Sequence, residues 1–174
     1  RSYYIMRVFI TGAEGFIGKN LVVRLGECPD FEVIKGIRSD SDDNLRDKLS
    51  KADAVIHLAA ENRPENPADF VVGNIQLTDT ICQLINELGL KVPILFSSST
   101  QATQDNDYGR SKRQAEAIIE TYGASIGNSA VIYRLPGIFG KWCKPNYNSV
   151  VATFCNNVIN GLPIQVNDPE RIIK

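Results

Sequence analysis

A tyrosine and a lysine four positions apart are the residues of this chain best suited to acid–base chemistry. They stand in the segment Tyr108-Gly109-Arg110-Ser111-Lys112, where the hydrophobic pattern predicts a helix from about Tyr108 to Tyr122. Positions i and i+4 share one helix face, so the Lys112 ammonium can lie beside the Tyr108 phenol and favour its phenolate. The pair predicts a proton-transfer catalyst, although the same spacing is common on solvated helices.

A run of hydroxyl side chains precedes that helix, at the end of a predicted strand Ile94–Ser97. A hydroxyl at the carboxyl edge of a parallel sheet faces the ligand crevice and can hydrogen-bond a reacting carbonyl. The run therefore predicts a serine that acts together with Tyr108. Its position in the run is open, and the candidates for contact with substrate are Ser98, Ser99 and Thr100.

A glycine-rich loop near the start of the chain has the spacing GxxGxxG, from Gly12 to Gly18. It follows a predicted strand and opens a predicted helix, which is the context that a dinucleotide-binding fingerprint requires. Gly12 permits the tight turn, Gly15 brings the backbone to a pyrophosphate, and Gly18 lets the helix pack closely on the sheet. An ordinary glycine-rich turn is the alternative. The predicted cofactor contacts of this loop are Gly12, Gly15, Phe16, Ile17 and Gly18.

The end of the second predicted strand bears on the choice of cofactor. Domains that prefer NAD end this strand with an acid that accepts from the ribose 2′-hydroxyl, whereas here it ends Ile37-Arg38. An arginine can grip a 2′-phosphate bidentately. Arg38 therefore favours NADP(H) over NAD(H), with Lys35 or Ser39 as helpers. A solvated surface charge is the alternative interpretation of Arg38.

Strands and helices alternate along the whole chain. Apolar runs and turn signals predict strands at Met6–Ile10, Phe31–Ile37, Ala54–Leu58, Ile94–Ser97, Ala130–Tyr133 and Ile164–Val166. Helical spacing predicts further helices at Leu45–Leu49, from Phe70 to Leu88, and at Asn148–Gly161. Because each crossover returns the chain to the same edge, the pattern predicts an α/β fold with a Rossmann-type doubly wound parallel sheet. Between the second strand and Ala54 there is room for at most an abbreviated strand.

At 174 residues the chain has room for one main domain. We expect residues 1–5 to be vector-derived sequence ahead of a native start at Met6, and residues 6–174 to form the NAD(P)-binding domain. A substrate-binding subdomain is expected to begin at about residue 136. We expect it to be truncated, because no closing element follows the strand predicted at Ile164–Val166.

The composition narrows the classes of partner. The chain is 43% hydrophobic and 22% charged with a net charge of -1, so no basic excess would attract nucleic acid or anionic lipid. Neither a membrane-spanning run nor a signal-peptide pattern is seen, which predicts a cytoplasmic protein without a membrane partner. The single histidine, His57, is expected to be a packed structural residue. The four cysteines stand far apart and predict a reduced protein without bound metal: Cys28, Cys82, Cys143 and Cys155.

Together these motifs resemble the extended short-chain dehydrogenase/reductase superfamily, in particular its NAD-dependent epimerase/dehydratase members. The segment from Ala54 to Ala60, Ala-Val-Ile-His-Leu-Ala-Ala, is similar to a strand of that family. The resemblance implies that Leu58, Ala59 and Ala60 lie against the adenosine of the cofactor. It also implies that the third serine, Ser99, is catalytic with Tyr108 and Lys112, and that Lys112 hydrogen-bonds the nicotinamide ribose. Pro136 is implied beside the nicotinamide, or is part of a plain Pro-Gly turn.

Two further segments, 97–106 and 140–149, look like one branch of that family, the capsular and O-antigen polysaccharide enzymes that make the precursor of UDP-N-acetyl-L-fucosamine. The resemblance implies NADPH-dependent reduction of the C4 ketone of a UDP-2-acetamido-2,6-dideoxy-hexos-4-ulose, a homo-oligomer, and a C-terminal cupin domain in the whole protein. Thr100-Gln101 stand where the family's dehydratases have Asp-Glu, which disfavours dehydration. Asn148 and Ser149 either meet substrate phosphates or cap the following helix.

Two other functions fit the same motifs. An NAD-dependent sugar-nucleotide epimerase would use the same residues for a transient oxidation without net consumption of cofactor. A non-catalytic NAD(P)-binding regulator would be expected to have lost Tyr108 or Lys112, and both are present. One departure from the superfamily is the short connection between Ser99 and Tyr108, which predicts a more open active site.

Overall fold

The structure is a computed structural model that describes residues 4–127, 130–166 and 168–170. In this part of the chain, one five-stranded sheet has the strand order β2-β1-β3-β4-β5. Its strands are β1 (Met6–Thr11), β2 (Phe31–Lys35), β3 (Ala54–His57), β4 (Ile94–Ser99) and β5 (Ala130–Leu135). The registered pairs β1–β2, β1–β3 and β3–β4 are all parallel. Their carboxyl ends therefore share one edge of the sheet.

Helices connect the strands. They are α1 (Phe16–Gly26), α2 (Asp42–Ser50), α3 (Ala68–Phe70), α4 (Leu77–Glu87), α5 (Asp107–Ile126) and α6 (Val150–Ile159). A π-helical turn, Val71–Gln76, joins α3 to α4, and a 3₁₀ turn, Thr100–Thr103, follows β4. The helix predicted from Phe70 to Leu88 thus forms, but with a π turn that its hydrophobic pattern does not reveal. Such turns are rare in proteins, and those that occur are often found at functional sites.

Apolar side chains are buried on both faces of the sheet. Val8 and Ile10 of β1 join one cluster with residues of α1, whereas the intervening Phe9 joins another with residues of α2, α4 and α5. Neighbouring side chains of a strand point to opposite faces, so helices cover both sides of the sheet. This arrangement confirms the predicted doubly wound α/β fold.

One predicted strand is wrong and another is shorter than predicted. Residues 162–166 form no strand, and Ile164 and Val166 are exposed, so the strand predicted at Ile164–Val166 does not exist in the described chain. An apolar run becomes a strand only where a neighbour completes its backbone hydrogen bonds, and a local pattern does not supply that neighbour. Strand β2 ends at Lys35, so Arg38 lies in the following turn. Residues 36–53 contain α2 and no strand.

The chain divides into two compact units, Arg1–Arg134 and Leu135–Lys174. The first holds the glycine-rich loop, the serine run and the Tyr108–Lys112 pair. The second, as far as it is described, contains α6 and the segment that precedes it. None of the described helices combines the length and the apolar character needed to cross a membrane.

Candidate active site

The glycine-rich loop leaves no space for side chains where it turns from β1 into α1. Gly12 has φ +66°, and a Cβ there would lie 2.9 Å from the Ala59 backbone nitrogen. A Cβ at Gly15 would lie 3.2 Å from the Gly12 carbonyl oxygen, and one at Gly18 would overlap the same oxygen. The loop is therefore pressed against the end of β3 and against its own helix, as the predicted fingerprint requires.

The start of α1 is suited to an anion. Its N-cap, Gly15, provides no side-chain hydrogen bond, and the first turn, which includes Phe16 and Ile17, holds no acid. By contrast, α2, α5 and α6 are capped by Ser41, Asn106 and Ser149. Backbone N–H groups that no side chain caps, at the positive end of a helix dipole, fit the pyrophosphate of a dinucleotide. The residues present thus fit the cofactor that the fingerprint implies.

A chain of buried hydrogen bonds runs beneath this loop. The Thr78 hydroxyl donates to the Asn74 carbonyl at 2.6 Å. Its oxygen therefore accepts from His57 Nε2, 2.9 Å away, which places the ring proton on Nε2. Nδ1 is then an acceptor for the Thr11 hydroxyl, 2.6 Å away. The Thr11 oxygen in turn accepts from the backbone N–H groups of Leu58 and Ala59, each at 3.1 Å.

His57 is the centre of this chain and is 1% exposed. Burial, together with the nearby Lys112 charge, lowers the pKa of its imidazole from 6.5 to about 3. The ring is therefore neutral at physiological pH. This confirms the packed, hydrogen-bonded structural residue that the sequence predicts.

Asn74, in the π turn, is a buried residue that the sequence analysis missed. Its side-chain oxygen accepts from the Glu61 N–H at 2.8 Å, and its amide donates to the Glu61 carbonyl at 3.1 Å and to Ser111 Oγ at 2.9 Å. The Ser111 hydroxyl donates to the Tyr108 carbonyl at 2.8 Å. One amide thus joins the loop after β3 to the first turns of α5. The sequence held no signal for this, because the π turn sets the position of the side chain.

The serine run ends β4 in three different environments. The Ser97 carbonyl accepts from Lys112, and the Ser98 hydroxyl donates to the Glu116 carboxylate at 2.5 Å. Ser99 Oγ accepts from the Gln101 N–H at 3.2 Å and caps the 3₁₀ turn. Thr100 is exposed and begins that turn. The predicted substrate residue Ser98 therefore has its hydroxyl directed to α5.

Lys112 projects into the protein from α5 and is 2% exposed. Its ammonium donates to the Ser97 carbonyl at 3.0 Å and lies 4.9 Å from the centroid of the Phe96 ring. Burial lowers the pKa of Lys112 from 10.5 to about 8, while the charge of Glu116 opposes that shift. The lysine thus stays largely cationic at neutral pH, at the end of β4.

Glu116 is a second residue of the site that was not among the predicted residues. It lies one helical turn beyond Lys112 and is buried, and Arg134 of β5 donates to its two oxygens at 2.9 and 2.7 Å. The Arg134 hydrogen bonds, helped by Ser98, lower the pKa of the Glu116 carboxyl. A signal was present, since positions 108, 112 and 116 repeat every four residues along one helix face.

Tyr108 lies in the first turn of α5, and its ring centroid is 5.8 Å from that of Phe70. The Asn106 side chain caps this turn by accepting from the Gly109 N–H at 2.7 Å. A Cβ at Gly109 would lie 2.5 Å from the Gln104 carbonyl oxygen, so the helix starts in close contact with the loop after β4. The short connection thus leads from Ser99 at the end of β4 to Tyr108 and Lys112 in the first turns of α5.

Arg38 lies in a turn that Asp40 closes. The Asp40 carboxylate accepts from the Ile37 N–H at 2.9 Å and from Lys48 at 2.6 Å. Arg38 projects from this turn and pairs with Glu61, with 2.6 Å between its Nη2 and Glu61 Oε1. The proposed helpers Lys35 and Ser39 are exposed beside it.

In the second unit, the Ser149 hydroxyl oxygen accepts from the Ala152 N–H at 3.3 Å and caps α6. Of the two alternatives for this position, the structure shows the cap. Asn148 precedes it, and Pro136 directly follows β5. Among the described residues of the whole chain, no group of three or more His, Cys, Asp or Glu side chains is placed to hold a metal ion.

Comparison with known sequences gives a family and a relative. The sequence profile of the NAD dependent epimerase/dehydratase family matches residues 8–171. A UDP-2-acetamido-2,6-beta-L-arabino-hexul-4-ose reductase of Pseudomonas aeruginosa is 47% identical over 94% of this chain. The match covers 44% of that protein, so this chain spans less than half the length of its relative.

Solved structures agree on the fold. The capsular polysaccharide assembling protein CapF of Staphylococcus aureus superposes with a TM-score of 0.81 at 47% identity, over 94% of this chain and 44% of that one. A UDP-glucuronic acid 4-epimerase of Bacillus cereus in complex with NAD superposes with a TM-score of 0.79 at 18% identity, over 92% of this chain and 66% of that one. At such low identity the second match shows the fold alone.

Proposed function

The chain belongs to the NAD dependent epimerase/dehydratase family, and from that premise we propose that it is the cofactor-binding part of a sugar-nucleotide reductase. The reaction proposed is reduction of the C4 ketone of a UDP-2-acetamido-2,6-dideoxy-hexos-4-ulose at the expense of NADPH. One observation carries the proposal: Ser99 ends β4, Tyr108 and the buried Lys112 lie in the first turns of α5, and Lys112 bonds the Ser97 carbonyl at the same edge of the sheet as the glycine-rich loop. The reductase relative of Pseudomonas aeruginosa supports the choice of substrate class.

Each catalytic residue has a distinct task. Bound nicotinamide would supply the hydride for C4. Tyr108 donates the proton that the C4 oxygen needs as the ketone becomes an alcohol. Ser99 donates a hydrogen bond to the same oxygen and stabilises its developing negative charge. Lys112 keeps a positive charge near Tyr108, which makes the loss of the phenol proton less costly.

The choice of Ser99 over its neighbours follows from hydrogen bonding. The Ser98 hydroxyl already donates to the Glu116 carboxylate, and Thr100 is exposed at the start of the 3₁₀ turn. Ser99 Oγ accepts from the Gln101 N–H, so the proton of the Ser99 hydroxyl can be donated to a ligand. Ser99 is therefore the hydroxyl of this run best able to polarise a carbonyl.

We infer NADP(H) as the preferred cofactor from the position of Arg38. It follows β2 and lies near the loop after β3, and its guanidinium is exposed to solvent. A guanidinium can bind a phosphate bidentately, which supports this role for Arg38. Replacing Arg38 with alanine should lower the ratio of kcat/KM for NADPH to kcat/KM for NADH. An unchanged ratio would count against the inference.

The decisive experiment follows cofactor consumption. Purified protein is mixed with NADPH and the UDP-activated 4-keto sugar, and the loss of NADPH absorbance is compared with the amount of product. Stoichiometric oxidation is expected for the wild type, and at most background oxidation for Tyr108→Phe. Tyr133→Phe is the matched control, since Tyr133 is an exposed tyrosine of β5. Product without net loss of NADPH would show an epimerase instead.

A further inference from the structure

An ion pair joins the two loops that flank the glycine-rich loop. Arg38 follows β2, Glu61 follows β3, and β1 lies between these strands in the sheet. The Arg38 side chain is 89% exposed and the Glu61 side chain 25% exposed. The carboxylate is therefore the more buried partner of the pair, and the guanidinium is the more exposed one.

Glu61 is anchored by the π turn. The buried Asn74 amide accepts from its N–H and donates to its carbonyl, so the Glu61 backbone is held on both sides. A Cβ at Gly73 would lie 2.5 Å from Glu61 Cγ, so the absence of a side chain at Gly73 makes room for Glu61. These contacts hold the Glu61 backbone and the start of its side chain, one residue beyond the segment 58–60.

Glu61 belongs to the loop after β3, and that loop lies against the glycine-rich loop at Ala59. The Ala59 N–H, two residues before Glu61, is the group that a Cβ at Gly12 would meet. A negative charge here repels a second negative charge, and the ion pair with Arg38 offsets that charge. A 2′-phosphate that binds Arg38 has to take the guanidinium from Glu61.

We propose that Glu61 weakens the preference for NADPH by competing with the ribose 2′-phosphate for Arg38. This inference rests on the proposed function, in which Arg38 binds that phosphate. A cofactor with a 2′-hydroxyl leaves the ion pair intact and loses nothing, whereas a 2′-phosphate gains Arg38 only by breaking it. Glu61 thus lowers the affinity for NADPH relative to that for NADH, and a neutral residue at position 61 should raise it.

The test uses ligands that differ only at the 2′ position and requires no turnover. Binding of adenosine 2′,5′-bisphosphate and of adenosine 5′-monophosphate is measured by calorimetry at low ionic strength. Glu61→Gln should tighten the bisphosphate by about two- to fivefold, the range of an exposed ion pair, and leave the monophosphate unchanged. Glu27→Gln is the matched control, because Glu27 forms an exposed ion pair with Arg24 at the far end of α1. It should alter neither affinity.

A double variant shows whether the effect depends on Arg38. Arg38→Ala should weaken bisphosphate binding, and adding Glu61→Gln to it should no longer produce a gain. If Arg38→Ala weakens the bisphosphate but Glu61→Gln does not tighten it, or changes both ligands equally, the competition is wrong and the proposed cofactor preference survives. If Arg38→Ala has no effect on either ligand, the cofactor preference fails together with the inference. Because Asn74 bonds the backbone of Glu61, Glu61→Gln keeps the anchoring contacts.

Discussion

The Ser98 hydroxyl donates a hydrogen bond to the buried carboxylate of Glu116 over 2.5 Å. The same carboxylate accepts two hydrogen bonds from Arg134, so strands β4 and β5 are tied to α5 through one acid. Because of this network, Ser98 and its neighbour Ser99 have different roles. Ser98 holds the end of β4 against the helix, and Ser99 begins the turn that leads to Tyr108.

Alanine variants should separate the two serines. Ser98→Ala removes a donor to a buried carboxylate and should lower the free energy of unfolding by about 1–3 kcal/mol. Ser99→Ala should lower turnover by about 100-fold or more, the typical loss of a donor to a developing oxyanion, with a loss of stability no larger than that of a helix cap, about 0.5–2 kcal/mol. Urea denaturation and NADPH oxidation measure the two effects. A large loss of turnover in Ser98→Ala with normal stability would reverse the assignment.

Glu116 should set the pH at which Lys112 loses its charge. The pKa of Lys112 is about 8, and the charge of Glu116 keeps it from falling lower. In Glu116→Gln that pKa falls, so turnover should begin to decline with rising pH at a lower pH than in the wild type. The pH profile of kcat tests this. Glu120→Gln, on the exposed side of the same helix, is the control and should leave the profile in place.

The single histidine should make the protein less stable in mild acid. The pKa of His57 is lowered from 6.5 to about 3, so between these pH values the imidazole is protonated in the unfolded chain and neutral in the folded chain. Stability is then fully present above about pH 6.5 and is lost as pH falls towards 3, by about 2 kcal/mol at pH 5. Urea denaturation at pH 7 and pH 5 measures the loss. His57→Gln cannot ionise and should lose less; an equal loss in both proteins would contradict the assignment.

Gly109 should tolerate no side chain. Alanine normally stabilises a helix relative to glycine, but a Cβ here would lie 2.5 Å from the Gln104 carbonyl oxygen. Gly109→Ala should therefore lower the free energy of unfolding by about 1–3 kcal/mol and shift Tyr108, with loss of turnover. Gly26→Ala, where a Cβ would meet nothing within 4 Å, should be neutral or stabilising. Equal behaviour of the two variants would show that the close approach is not required.

The sequence by itself determined the features that depend on neighbours along the chain. Alternating apolar periods predict the sheet, the spacing of Gly12, Gly15 and Gly18 predicts the tight loop, and a four-residue interval predicts that Tyr108 and Lys112 share a helix face. Each is a property of a few consecutive residues. The strand predicted at Ile164–Val166 does not form, because a strand also needs a partner, which the local pattern does not contain.

Only the tertiary structure decided the contacts between distant positions. Thr11 and His57, which share a hydrogen bond, are 46 positions apart, and Asn74 holds a residue 13 positions before it. The direction of each proton, the pairing of Glu116 with Arg134 and the anchoring of Glu61 all follow from such distances. A sequence names the groups that can bond, but the packing of strands and helices determines which of them meet, because hydrogen bonds and ion pairs form only over a few ångströms.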